Sequence, residues 1–186
     1  MRKTLVISTF VAIALISCNP RPNPAPAPSI SATPTPTATE NPETKRLREE
    51  AIAALQQLQA AVEVGTNMVN YGRAIPPAKV AVDRYANVDK AGSLEMQQAI
   101  AAHIIALAWW RCDAVPVEQS ADCRDRIVPK IKALDSGLKQ IIDGAIAGRT
   151  EQAKVHVSYV FDKEKILQLL WEFAGEAIGK AADPTP

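Results

Sequence analysis

An excess of charge of either sign is missing from this sequence: 21 Lys and Arg stand against 20 Asp and Glu over 186 residues, a formal net charge of +1. Binding a phosphate backbone at physiological salt needs concentrated Lys and Arg, and no basic stripe appears, so nucleic acid is excluded as a partner. Histidine and cysteine are scarce, at two and three residues. With so few ligands and nucleophiles, and without the phosphate-loop, dinucleotide or zinc-protease motifs, no catalytic constellation, cofactor or metal site is expected, and the chain reads as noncatalytic. Aromatic residues are only 5% of the total. Apolar runs are also short. The longest, Leu5–Ile16 and Ala99–Trp110, fall well below the roughly 20 residues that a helix needs to cross a bilayer.

What is present begins with an address. Arg2 and Lys3 precede the apolar run from Leu5 to Ile16, the anatomy of a secretory signal. The run ends in Leu15-Ile16-Ser17-Cys18, a branched apolar residue, a tolerant position, a small residue and then cysteine. This resembles the lipobox of bacterial lipoproteins. The resemblance implies cleavage before Cys18, lipidation of its thiol and acylation (palmitate or a similar chain) of the new amino terminus. Two or more acyl chains hold a protein stably on a membrane, at about 0.8 kcal/mol per buried methylene. In enteric lipoproteins an aspartate after the lipidated cysteine favours inner-membrane retention. Asn19 stands there, so the resemblance points to the outer membrane where an organism has one. Residues 1–17 are thus read as signal peptide, and the expected location is the cell envelope, facing periplasm or exterior. The competing reading, a plain signal peptide cut after small residues, leaves Cys18 unlipidated or lost.

Residues 18–42 read as the lipidated cysteine and a disordered tether. From Asn19 to Pro42 the chain holds eight of its 14 prolines. Proline at alternate positions forbids helix and ladder bonding and favours polyproline II. At about 3.1 Å per residue this spacer would reach on the order of 70 Å. Threonines 33, 35, 37 and 39 are candidate O-glycan acceptors within what otherwise reads as a solvated linker.

Residues 43–181 read as one all-α domain, a bundle of about four to five helices, with a short tail at 182–186. Asn41, Pro42 and Glu43 offer a cap, a first-position proline and a first-turn acid. Leu47, Ala51, Leu55, Leu58, Val62, Gly65 and Val69 then recur at spacings of three and four, predicting one helix over about 43–70. Gly72 and Pro76-Pro77 predict its exit and the start of a second helix over 77–88, with Ala78, Ala81, Val82 and Tyr85 inward. Gly92 and Ser93 precede a third, over 94–111, whose apolar run implies burial on all sides. A fourth stretch, about 121–147, places Ile127, Ile131, Leu134, Leu138, Ile141 and Ala145 in phase, with Pro129 kinking or dividing it. A last helix over 163–180 uses Ile166, Leu169, Leu170, Phe173 and Ala177, with Asp162 as cap. Val155, Val157 and Tyr159 alternate as in a strand, leaving 149–162 open. The stretch Leu58–Gly65 with Tyr71 is similar to helical domains of exported bacterial proteins, a similarity that brings no activity with it.

With Cys18 assigned to lipid, Cys112 and Cys123 remain, an even number in a chain read as exported, so a disulfide between them is expected. Its competitor is a metal site joining both cysteines to His103 and His156, which lacks any close pair at zinc-ligand spacing. Gly175–Lys180 is one residue short of a phosphate loop and is followed by Ala181. Ser136-Gly137-Leu138-Lys139 matches the Ser-x-x-Lys of penicillin-binding enzymes without their Lys-Thr-Gly, and reads as a solvent face. Gly144 and Gly148 read as close helix approach or a helix end. The candidate contact residues are Trp109, Trp110 and Arg111. Adjacent helical residues point about 100° apart, so one indole must lie nearer the surface, and Trp and Arg dominate interface hot spots. The leading expectation is a lipid-anchored binding or scaffolding module for an envelope protein or glycan. The runner-up is an envelope enzyme or small-ligand carrier with an interhelical pocket near Tyr71 and His103; the third reading is a purely structural lipoprotein.

Overall fold

The computed structural model of the chain describes residues 41–147 and 162–183. The chain divides into two units, residues 1–38 and 39–186, and everything described lies in the second. The lipobox, nearly all of the tether, Gly148, His156 and the alternating stretch at 155–159 lie outside the described residues.

Among the described residues the domain is all-α, with helices α1 (Pro42–Glu63), α2 (Met68–Val88), α3 (Leu94–Arg111), α4 (Val117–Asp125), α5 (Val128–Leu134), α6 (Ser136–Ala147) and α7 (Lys163–Ala182). The four long helices α1, α2, α3 and α7 make the bundle. α3 packs against α7 and α2, α1 closes against α2 and α7, and the α5–α6 pair joins α3 through α5.

α1 starts as its residues dictate: the Asn41 side chain accepts from the Glu43 amide at 2.9 Å, and Pro42 occupies the first turn. Its buried stripe is Leu47, Ala51, Leu55 and Leu58, and full burial of each leucine stabilises by about 1.5–3 kcal/mol. The helix ends earlier than the periodicity predicts. Gly65 adopts φ +85°, which a β-carbon disfavours, and Asn67 then caps α2 by accepting from the Asn70 amide at 2.9 Å. Gly65 and Val69, placed on the buried stripe by spacing alone, are therefore exposed around a turn.

α2 in turn runs straight through Gly72 and Pro76-Pro77, where an exit was expected. Tyr71, Ile75, Ala78, Val82 and Tyr85 form one continuous buried stripe across the prolines, and both prolines face solvent. Burial along that stripe outweighs the carbonyl bonds that the prolines leave unmade.

α3 is the central helix, as its apolarity implies, but it is not buried on all sides: nine of its 18 residues are buried, and Ile104 within the apolar run is 38% exposed, because the neighbouring helices do not enclose its whole circumference. Ser93 precedes it without capping it, because its hydroxyl donates to the Lys90 carbonyl and accepts from Gln97 instead. The stretch expected as one fourth helix is three. Pro129 sits in the first turn of α5 and so divides the stretch rather than kinking it, and Asp135 separates α5 from α6 by accepting from the amides of Gly137 and Leu138. In α6 Leu138 is buried as expected, but the stripe continues one turn on at Ile142, a step of four, so that Ile141 is 48% exposed. α7 follows its predicted bounds, with Asp162 accepting from the Glu164 amide at 2.9 Å. Ile166, Leu170 and Ala177 are buried as expected, joined by Leu167, while Leu169 and Phe173 lie at the half-buried edge.

Candidate functional site

The three consecutive residues Trp109, Trp110 and Arg111 leave α3 in three directions. Trp109 is fully buried; its Nε1–H donates to the Lys163 carbonyl at 3.2 Å, and the Arg124 guanidinium lies over its ring, 5.5 Å from the centroid. Trp110 is half-buried and packs against Tyr71 of α2 and Trp171 of α7, at centroid distances of 6.1 and 6.0 Å. Arg111 is exposed and reaches across to α2, where it covers Gly72. The helical rotation of about 100° per residue thus separates one buried indole from one near the surface.

Cys112, next in the chain, is bonded to Cys123 with Cα atoms 5.6 Å apart, tying the end of α3 to α4. The bond holds Arg124 beside Trp109, and Asp113 completes the arrangement by pairing with both Arg124 and Lys163, the latter at 2.6 Å.

Behind Trp110 lies a buried polar cluster. Tyr71 and His103 are both fully buried. The Tyr71 hydroxyl is 2.8 Å from Nδ1 of His103, 3.3 Å from the His103 carbonyl, and 3.1 Å from Nε1 of Trp171. A hydroxyl carries one proton and two lone pairs. All three contacts are satisfied together when His103 is protonated on Nδ1: Tyr71 then accepts from His103 and Trp171 and donates to the carbonyl. Nε2 of His103 is left as a bare lone pair, with no partner among the described residues. Burial lowers the His103 pKa to about 4, so the ring is neutral at pH 7, and burial raises the Tyr71 pKa well above the ordinary tyrosine value. The pair therefore joins α2, α3 and α7 as a neutral hydrogen-bonded knot closed to solvent.

Between α3 and α7, in front of this knot, a cleft of about 240 Å³ is lined by Trp110, Lys163, Glu164, Leu167, Gln168 and Trp171. The structure brings Trp110, Tyr71 and His103 into one contiguous region, and leaves Trp109 and Arg111 out of the cleft. Trp171, Glu164 and Gln168 were not picked out by sequence reasoning. The signal for them was available: 164, 168 and 171 recur at helical spacing on one face of α7.

A second cleft, of about 370 Å³, is lined in part by Arg48, Asp89, Glu95 and Lys180. Two of these charged groups are already engaged: Asp89 accepts from Tyr85 and from the Gly92 amide, and Arg48 donates to the Ala181 carbonyl. The sequence lookalikes dissolve in the structure. Gly175–Lys180 lies inside α7, and the Lys139 ammonium sits 2.6 Å from Asp143, one turn on in α6, as on a solvated helix face. No group of three or more His, Cys, Asp or Glu is placed to hold a metal ion among the described residues, and none of the described helices is long and apolar enough to cross a membrane.

No protein-family model, curated protein or solved structure matches the chain.

Proposed function

We propose that this chain is a lipid-anchored, noncatalytic helical binding module of the cell envelope, carried on a proline-rich spacer from Cys18. The observation that carries the reading is the ordered set Arg2-Lys3, apolar run, Leu15-Ile16-Ser17-Cys18, followed directly by the proline spacer. The Cys112–Cys123 disulfide supports it, since such bonds persist in oxidising compartments beyond the cytoplasmic membrane. The half-buried indoles of Trp110 and Trp171 at a cleft, held from behind by the Tyr71 knot, support binding rather than a purely structural role. A carrier pocket centred on His103 and Tyr71 has less support, because both side chains are fully buried and bonded to each other.

The test is metabolic labelling with a fatty acid analogue in a bacterial host. The wild-type chain is expected to take up label and to fractionate with membranes, and Cys18→Ser is expected to lose the label and accumulate as unprocessed precursor. An unlabelled wild-type chain would overturn the anchor.

A further inference from the structure

The cleft between α3 and α7 combines two fixed aromatic rings with an uncharged balance of polar groups. Trp171 is pinned from behind, because its Nε1–H donates to the buried Tyr71 hydroxyl at 3.1 Å. Its N–H is thereby spent inward, and what it offers the cleft is ring carbon. Trp110 leans on both Tyr71 and Trp171, meeting the second indole edge-on at 69°. Neither ring has much freedom left to lose, so a ligand would meet a preorganised apolar corner.

The fringe of that corner determines the ligand's chemistry. Glu164 and Gln168 are exposed and one turn apart on α7, on the face that also carries Trp171. The Glu164 carboxylate makes no hydrogen bond or ion pair with the described residues. Lys163 uses one of its three donors on Asp113. The lining thus supplies donors from Lys163, acceptors from Glu164 and both from Gln168, with one positive and one negative charge. An anion would face Glu164, and a cation would face Lys163. A wholly apolar ligand would cover Glu164 and Gln168 without replacing their hydrogen bonds to water. At about 240 Å³ the space is smaller than the pockets of drug-sized ligands. A neutral ring with a C–H face to lay on indole, and an edge of hydroxyls that both donate and accept, satisfies every one of these conditions.

We propose that the Trp110–Trp171 cleft binds one ring of a neutral saccharide, seated in the corner with its C–H face on one indole and its rim against the other, and with its hydroxyls bonded to Lys163, Glu164 and Gln168. The proposal deepens the binding-module reading and rests on it for the source of the sugar, an envelope glycan. The cleft's own chemistry does not depend on the lipid.

The experiment titrates the purified full-length chain, in a detergent without a sugar headgroup, with trisaccharides of glucose and of N-acetylglucosamine. Tryptophan fluorescence and calorimetry provide the readouts, and tetramethylammonium and glucuronate serve as charged comparators. At least one neutral trisaccharide is expected to saturate the signal. Gln168→Ala and Glu164→Gln are expected to weaken binding by about tenfold each, the effect of losing a hydrogen bond to a ligand; the exposed Gln168→Ala should leave the unfolding midpoint unchanged, and Glu164→Gln should lower it only slightly, through loss of a first-turn acid of α7. The proposal is overturned by the absence of saturation with every neutral sugar, by binding indifferent to both substitutions, or by tighter binding of either charged comparator. Absent sugar binding in a chain that still takes up fatty acid would refute the cleft assignment and leave the anchor standing; sugar binding by an unlabelled chain would do the reverse.

Discussion

The Tyr71 hydroxyl and Nδ1 of His103 lie 2.8 Å apart in the interior although the residues are 32 positions apart in the chain, one on α2 and the other on α3. Trp171, a further 100 positions from Tyr71, donates to the same oxygen from α7. A single phenol oxygen therefore joins three helices. It also holds from behind the ring that forms one wall of the cleft.

Tyr71→Phe keeps the shape of the ring and removes the shared oxygen. His103 Nδ1 and Trp171 Nε1 then lose their partner in a site that water does not reach. The expected loss is about 2–3 kcal/mol of unfolding free energy, typical of buried donors stripped of an acceptor, read from urea denaturation at pH 7. An unchanged midpoint would show that the cluster has no role in stability.

Acid should weaken the domain through His103. Its pKa is lowered from 6.5 to about 4 by burial, so between these values the unfolded chain binds a proton that the folded chain does not. The stabilisation from keeping this ring neutral is full above pH 6.5 and is lost as the pH falls toward 4, amounting to about 2 kcal/mol between pH 7 and pH 5. Asp89 is held below the ordinary carboxylate range by the Gly92 amide and then the Tyr85 hydroxyl, so its contribution disappears only at more acid pH. Urea midpoints at pH 7 and pH 5 for the wild type and His103→Leu check this: the variant should lose most of the difference.

Reducing the Cys112–Cys123 bond should lower stability by about 3 kcal/mol, the chain-entropy value for a loop of this size, whose ends are 11 positions apart. The same step frees α4, so Arg124 should leave the Trp109 ring and the tryptophan emission should change at temperatures where the bundle remains folded. Melting curves with and without reductant, with Cys112→Ala/Cys123→Ala as the covalent equivalent, provide the measurement.

Gly65→Ala isolates a backbone effect. A β-carbon at Gly65 meets nothing within 4 Å, and only the positive φ opposes it. The variant should lose about 1–2 kcal/mol, and Gly65→Asn less, because asparagine tolerates the left-handed region. Equal stability of glycine and alanine forms would mean that the α1–α2 turn accommodates other conformations.

The extent of each element tracked how local its cause was. Asn41-Pro42-Glu43 and Asp162 announce the starts of α1 and α7 because a cap is made within three residues. The all-round apolarity of Ala99–Trp110 likewise implied the central place of α3, and two remaining cysteines implied their bond. Misplaced boundaries arose where local and distant terms oppose each other. Pro76-Pro77 reads as a helix end, yet the stripe from Tyr71 to Tyr85 buries enough against α1 and α3 to carry α2 through. Gly65 reads as one more stripe position, but there the chain turns.

Spacing and composition alone determined the helical class, the stripe of α1 from Leu47 to Leu58, the Ile166, Leu170 and Ala177 positions of α7, and the divergence of Trp109 from Trp110, because helical periodicity and rotamer direction are properties of the nearest few residues. The site was decided only by the packed structure. Tyr71, His103, Trp110 and Trp171 lie on three helices and far apart in the chain, and their meeting depends on how α2, α3 and α7 rotate to bury their stripes. That choice minimises exposed apolar surface across the whole bundle, and no window of sequence contains it.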